Sequence, residues 1–216
     1  MKNVRVYFSK KDQAKYISHL DLMRCMMRCI KRTDIPVWYT EGFNPRMYIT
    51  FAMPLSLGYE GERESFDIKI TDDGFSIDKI VSELQKVMPK GLAIIDASEE
   101  FLAASEIGFA LYDIEIVADR DIGNLFEEFL LDEKILVEKR SKKKVKQIDI
   151  KPFLDVKSVE IDGNTCKAKI VLPAGIEGNV NPGLIRDAFG EFSGMELEPI
   201  KVKRNEIFDK NMKKFN

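Results

Sequence analysis

The chain has 216 residues, 44% hydrophobic and 32% charged, with a net charge of −2, which is length enough for two domains of about 100 residues in a globular protein. No apolar run reaches the roughly 18–20 residues that span a bilayer, "MKNVRVYFSKKD" has no signal-peptide core, and three cysteines do not make a secreted disulfide framework, so a cytoplasmic protein with no membrane partner is expected. The near-neutral total hides segregation: residues 1–50 carry ten Lys/Arg against four Asp/Glu, residues 139–151 seven against one, and Lys201–Asn216 six against two, within an otherwise acidic chain. Such segments attract an anion whatever the total, although a charge run can also be a solvated face.

In chain order, "VRVYF" reads as a strand and "SHLDLMRCMMRCIKRT", residues 18–33, as an amphipathic helix. Ser18 and Asp21 form a capping-box-like start, which places the first helical residue at His19. At about 100° per residue, Leu22, Met23, Met26, Met27 and Ile30 share one arc with Leu20 at its border, while Arg24, Arg28, Lys31 and Arg32 form a ridge opposite. Cys25 and Cys29 lie beside the apolar arc and read as small core side chains. Cys166 lies in the other half and there is one histidine, so neither a metal site nor a cofactor is expected. His19 projects toward the apolar side at the helix N-terminus, where the macrodipole favours the neutral imidazole. That suits either a structural hydrogen bond or general acid/base work, but no motif ties a second catalytic group to it and no catalytic residue is assigned.

"VWYT" and "YITFAMPL" read as short strands within "YTEGFNPRMYITFAMPLSLG", residues 39–58. Gly42 and Pro45 bend this stretch. Tyr39, Phe43 and Tyr48 offer ring faces for unpaired bases and Arg46 a charge, or the rings pack beneath their own chain. "ESFDIKI" alternates as a strand. Ile77, Ile80, Val81, Leu84, Val87 and Met88 define a helix stopped by "PKG", and "LAIIDA" closes a β-α-β-β-α-β order.

The pattern then restarts. "ALYDIEIV" is a strand, residues 121–131 a helix, and "ILVEKR", "QIDIKPF" to "KSVEID" and "CKAKIVLPA" are strand material. Asn181-Pro182 offers an N-cap and a first helical proline before the stripe of Leu184, Ile185, Ala188, Phe189 and Phe192. "MELEPIKVKR" is the closing strand. "LPAGIEGNVNPG" has three glycines without a phosphate-binding spacing. The expected fold is α+β: two tandem ferredoxin-like (βαββαβ) domains with antiparallel sheets, residues 1–105 and 106–216.

"KYISHLDLMR", "GFNPRMYITFAMPLSLG" and "KKKVKQIDIKP" together resemble the radical-SAM-linked family of uncharacterised bacterial proteins. In that family the domain is fused behind a radical-SAM protein or encoded as a separate chain beside one. The resemblance covers essentially the whole chain, is to the stand-alone form, and implies a radical-SAM enzyme as partner. The tandem order is also similar to the RAMP-type endoribonucleases of CRISPR systems, which often place a histidine near the first helix; their glycine-rich loop near the C-terminus is missing here.

The expected function is therefore an RNA-binding accessory protein that works with a radical-SAM enzyme and positions an RNA substrate. Arg24, Arg28, Lys31, Arg32, Arg46, Lys142, Lys143, Lys144 and Lys146 would meet phosphates, and Tyr39 and Phe43 would meet bases. The alternatives are a metal-independent endoribonuclease using His19 and a protein-interaction subunit without RNA binding.

Overall fold

Val4, Val6 and Phe8 alternate with Arg5, Tyr7 and Ser9 along strand β1 (Lys2–Lys10), which gives the strand an apolar face and a polar one. Between them α1 (His19–Ile30), β2 (Ile49–Phe51), β3 (Glu60–Ile70), α2 (Ile77–Val87) and β4 (Leu92–Ser98) complete the first half of the chain. The computed structural model describes residues 1–99, 101–141, 144–176 and 178–216, with the backbone alone for 139–141 and 144–146. It shows a mixed α+β protein of two units: Met1–Glu106 with Lys213–Asn216, and Ile107–Met212. No helix among the described residues is long and apolar enough to cross a membrane.

In the first unit the strand order is β4-β1-β3-β2, with every neighbouring pair antiparallel. The register sets Val4 against Ile68 and Val6 against Phe66, so the apolar residues of both central strands reach the same face. A slip of one residue would turn them all to the other side. Leu22, Met26 and Ile30 of α1 and Ile80 and Leu84 of α2 close over that face in one buried cluster, each contributing roughly 1.5–3 kcal/mol of burial. Both helices start on serine caps: the Ser18 and Ser76 hydroxyls accept the N–H groups of Asp21 and Lys79. After α2 the chain turns at Gly91, whose φ is +86°. A Cβ there would stand 2.7 Å from the Lys11 carbonyl oxygen, so glycine alone lets β4 begin this close to the end of β1.

The expected strand "VWYT" is reduced to isolated bridges, Val37 to Ile70 and Tyr39 to Met47, because its start meets β3 and its end pairs back on its own continuation. Residues 213–216 return to the first unit, where Phe215 is buried and the Leu102 N–H donates to the Asn216 carbonyl at 2.6 Å. Nothing in the local pattern of the tail signals this return.

The second unit runs β5 (Ile107–Val117), α3 (Leu125–Leu131), β6 (Leu136–Ser141), β7 (Lys144–Asp149), β8 (Asp155–Asp162), β9 (Thr165–Pro173), α4 (Gly183–Ser193) and β10 (Lys201–Asp209). Its sheet order is β10-β5-β9-β8, again antiparallel throughout. β6 and β7 stand apart as a two-stranded ribbon between α3 and β8. Phe126 and Phe129 of α3 meet Phe189 of α4 at ring-centroid distances of 5.1 and 5.6 Å, and this aromatic cluster joins the two helices.

Several boundaries differ from the sequence pattern, each for a local reason. The helix expected over residues 18–33 ends at Ile30, whose carbonyl accepts the Thr33 hydroxyl at 2.7 Å. The helix expected from residue 121 starts at Leu125, because the Asp121 carboxylate accepts the Gly123 N–H and holds a turn first. Helix α4 starts at Gly183 rather than Pro182, with the Asn181 side-chain oxygen accepting the Gly183 N–H at 2.8 Å. The closing strand starts at Lys201, beyond Pro199, which has no N–H for a ladder.

Candidate nucleic-acid interface

Capping and amphipathicity together produce the basic ridge. Ser18 fixes the first turn of α1, and its hydroxyl also bonds the Asp21 carboxylate at 2.7 Å. Asp21 in turn pairs with Arg24 at 3.1 Å. These two contacts, the serine hydrogen bond first and Arg24 second, hold the Asp21 carboxyl below its ordinary value. One turn further on, Arg28, Lys31 and Arg32 are exposed, with no ion pair among the described residues. Arg24 and Arg28 lie one turn apart on α1, about 6 Å along its axis, and Lys31 and Arg32 follow on the turn after Ile30, so the four cations form a short rail, while Leu22, Met26 and Ile30 are turned into the core.

The loop after α1 is a narrow hairpin. The Thr40 N–H donates to the Arg46 carbonyl at 2.8 Å, and the Arg46 N–H donates back to the Thr40 hydroxyl at 3.0 Å. Met47 is buried and anchors the base. At the tip, Gly42 takes φ +124° and Phe43 is fully exposed. Tyr39 and Tyr48 are more than a third exposed, Arg46 is exposed, and Trp38 lies 6.2 Å from Tyr48. An unburied phenylalanine is held up by backbone pairing, with no core contact to explain its apolar ring. The loop's base bridges Ile70 through Val37, close in sequence to the end of α1. No hydrogen bond, ion pair or ring contact among the described residues joins ridge to loop.

The ridge and the loop residues are thus solvent-facing side chains on one unit. Lys142 and Lys143 lie outside the described residues, and the side chains of Lys144 and Lys146 do too.

His19 is half-buried at the start of α1 and meets Phe51 edge-on at 5.1 Å. No hydrogen bond ties its ring to another described residue, so the geometry supplies it with no orienting carboxylate and no nucleophile. Cys29 is buried with its thiol 3.4 Å from the Val87 carbonyl. Burial, followed by the neighbouring Cys25, pushes that thiol up to about 11. Burial and Glu127 push Cys166 up to about 12. Both stay protonated at neutral pH and behave as packing groups. Among the described residues no three His, Cys, Asp or Glu side chains group as metal ligands would.

Among the buried cations, Arg5 lies outside every candidate named from the sequence and is fully buried. Its guanidinium bonds Asp67 through two nitrogens at 2.7 and 2.9 Å and the Leu102 carbonyl at 2.8 Å. The rings of Phe101 and Phe215 lie 4.5 and 4.6 Å from it. Every partner comes from elsewhere in the chain, so no local signal could have found the clamp. It is structural: the planar fork is satisfied and no face is open to a ligand.

No curated protein matches the chain. Among solved structures, a chain in the crystal structure of a Cbf5-Nop10-Gar1 complex is similar in fold, with a TM-score of 0.54 at 10% identity over 94% of this chain and 48% of that one. This chain therefore spans about half the length of that chain. An unknown protein from Galdieria sulphuraria matches over 94% of this chain and 98% of its own at 10% identity, with a TM-score of 0.28. Residues 3–182 match the family described as an uncharacterised protein conserved in bacteria, DUF2344, and the chain belongs to that family.

Proposed function

We propose that the protein is an RNA-binding accessory subunit that works with a radical-SAM enzyme and positions an RNA substrate on its first unit. The observation that carries this reading is the pairing of an exposed cationic rail, along α1 and the turn after it, with the fully exposed Phe43 at a hairpin tip. Cations spaced along a helix suit phosphates, and a projecting ring suits the face of an unpaired base. The radical-SAM partner rests on the sequence resemblance alone. The same reading takes the two units as tandem ferredoxin-like domains. Their matching strand orders, β4-β1-β3-β2 and β10-β5-β9-β8, support it, with the β6–β7 ribbon as an insertion.

The test is binding of a structured RNA across a salt series. Four phosphate contacts at about 0.7–0.9 each give a log–log slope near −3. Changing both Arg24 and Arg28 to Ala should flatten the slope by about 1.5 and weaken binding equally across unrelated sequences. Absence of binding at low salt would end the proposal.

A further inference from the structure

The root of the hairpin that carries Phe43 holds a second aromatic group, on the face of the first sheet turned away from α1 and α2. Alternation puts it there. Val37, Met47 and Ile49 pack in or against the core cluster together with Ile68 and Ile70, so the residues between them, Trp38, Tyr48 and Lys69, fall on the opposite face. Their backbones are tied side by side: the Trp38 N–H donates to the Lys69 carbonyl at 2.7 Å, and the Tyr48 N–H to the Trp38 carbonyl at 3.2 Å. The Trp38 and Tyr48 rings stand 6.2 Å apart at 58°, and the Lys69 ammonium lies 5.0 Å from the Trp38 ring. Tyr48 is 39% exposed and Trp38 half-buried, and neither belongs to the core cluster.

Two features select what these rings meet. First, the cations beside them are unspent. Lys69 and Arg46 make no ion pair with a described residue, while Asp67, the outward carboxylate nearest Lys69 along β3, is already forked to Arg5. Glu41 is the single carboxylate of residues 39–48 and does not cancel the two. Ring faces with free cations alongside hold a base and its phosphate together, whereas an apolar protein segment would bury both cations without a counter-charge. Second, Asn3 stands opposite Lys69 in the register, is exposed, and has no side-chain hydrogen bond to a described residue. Its amide offers a donor and an acceptor to a base edge.

We infer that Trp38, Tyr48 and Lys69 form a second base-stacking site, at the root of the hairpin whose tip carries Phe43. Five residues at 3.3 Å each place Phe43 on the order of 15 Å from Trp38, farther than one base spans. The RNA taken here is therefore unpaired over more than one nucleotide. The inference rests on the RNA reading of this unit and specifies it: the substrate is a single strand stacked at two points, and a closed duplex, whose bases already stack on one another, is excluded.

Trp38 is the only tryptophan of the chain, so its fluorescence reads the site directly. The experiment titrates the full chain with a short adenine-rich single-stranded RNA, with the same ribose-phosphate chain lacking bases, and with a blunt RNA duplex. Saturable quenching is expected from the single strand and from neither of the others. Tyr48→Ala should weaken binding roughly tenfold, and Tyr48→Phe, which keeps the ring, should restore it; circular dichroism checks that both variants fold. Arg24→Ala with Arg28→Ala should weaken binding yet leave the quench at saturation unchanged. RNA that binds with the expected salt dependence but leaves Trp38 emission unmoved overturns this inference and spares the rail. No RNA binding at all overturns both. The inference also falls if the base-free chain or the duplex quenches equally, or if an apolar peptide quenches where the RNA does not.

Discussion

Helices α1 and α4 serve their units in the same way and present opposite charge to solvent. α1 turns Leu22, Met26 and Ile30 inward and Arg24 and Arg28 outward, and Lys31 and Arg32 are exposed on the turn that follows it. α4 turns Ile185, Ala188 and Phe189 inward, while Asp187 and Glu191 face water. Packing fixes the inner stripe of each helix and leaves the outer one free, so the outer stripe can be set by the partner it meets. The net charge of −2 is the near-cancellation of such fields and describes neither face. A second contrast lies within the first unit: Arg5 is buried, forked and clamped, whereas Arg28 is exposed and unpaired. The same residue type is a staple in one place and a candidate contact in the other.

The largest effect should come from the staple. Arg5→Ala leaves Asp67 without its bidentate partner and should cost about 3–5 kcal/mol in urea unfolding. RNA affinity should persist wherever the variant remains folded. A loss below about 1 kcal/mol, the scale of an exposed pair, would show that the clamp stabilises little and weaken the contrast between the two kinds of arginine.

Reversing the rail tests the contrast between the helices. Arg28→Glu with Lys31→Glu should lower RNA affinity by tens of fold or more at low salt, while stability moves by about 0.5 kcal/mol or less, as expected for surface sites. Asp187→Lys with Glu191→Lys on α4 should change RNA affinity far less. Equal and opposite responses would mean that RNA senses the overall field and no specific ridge.

A smaller effect concerns the cap that sets the ridge's phase. Ser18→Ala should cost about 1 kcal/mol. Asp21 has its folded-state pKa depressed, so its contribution is present above the unfolded carboxylate value and fades as pH falls through the folded one. Thermal unfolding followed into acid should show that loss in the wild type and less of it in Ser18→Ala, because the hydroxyl is the first cause of the depression.

The smallest effect is expected at His19. His19→Gln should keep RNA affinity within about threefold, a contact on the scale of a single net hydrogen bond. The purified protein should cut no RNA without added metal. Site-specific cuts by the wild type that disappear in His19→Gln would replace the accessory reading with the ribonuclease one.

Helix α1 was legible in the sequence down to its first residue, since a cap and a rotation of about 100° per residue are local properties. The period-two strands were legible for the same reason. The ribbon of β6 and β7 was not: its residues read as strand material like any other, and which sheet a strand joins depends on distant partners. The start of α3 was misplaced because an Asx turn at Asp121 competes with the helical pattern that Ile122 otherwise continues. Of the candidate site, the exposed rail and the Gly42 bend could be named from spacing and turn chemistry, but the full exposure of Phe43 could not, because a loop aromatic is as readily folded under its own chain.

The sequence by itself determined which faces of its elements are apolar, where α1 and α2 begin and where the positive charge is concentrated, because each depends on neighbours within a turn or two of chain. Tertiary structure decided the strand orders, the burial of Arg5 between Phe101 and Phe215, and the groove between β6 and α4. These features are made by residues 62 and 97 positions apart at Asp67 and Leu102 of the clamp, or by a strand and a helix that meet only after folding. Whether a charge is a staple or a contact depends on what covers it, and what covers it comes from elsewhere in the chain.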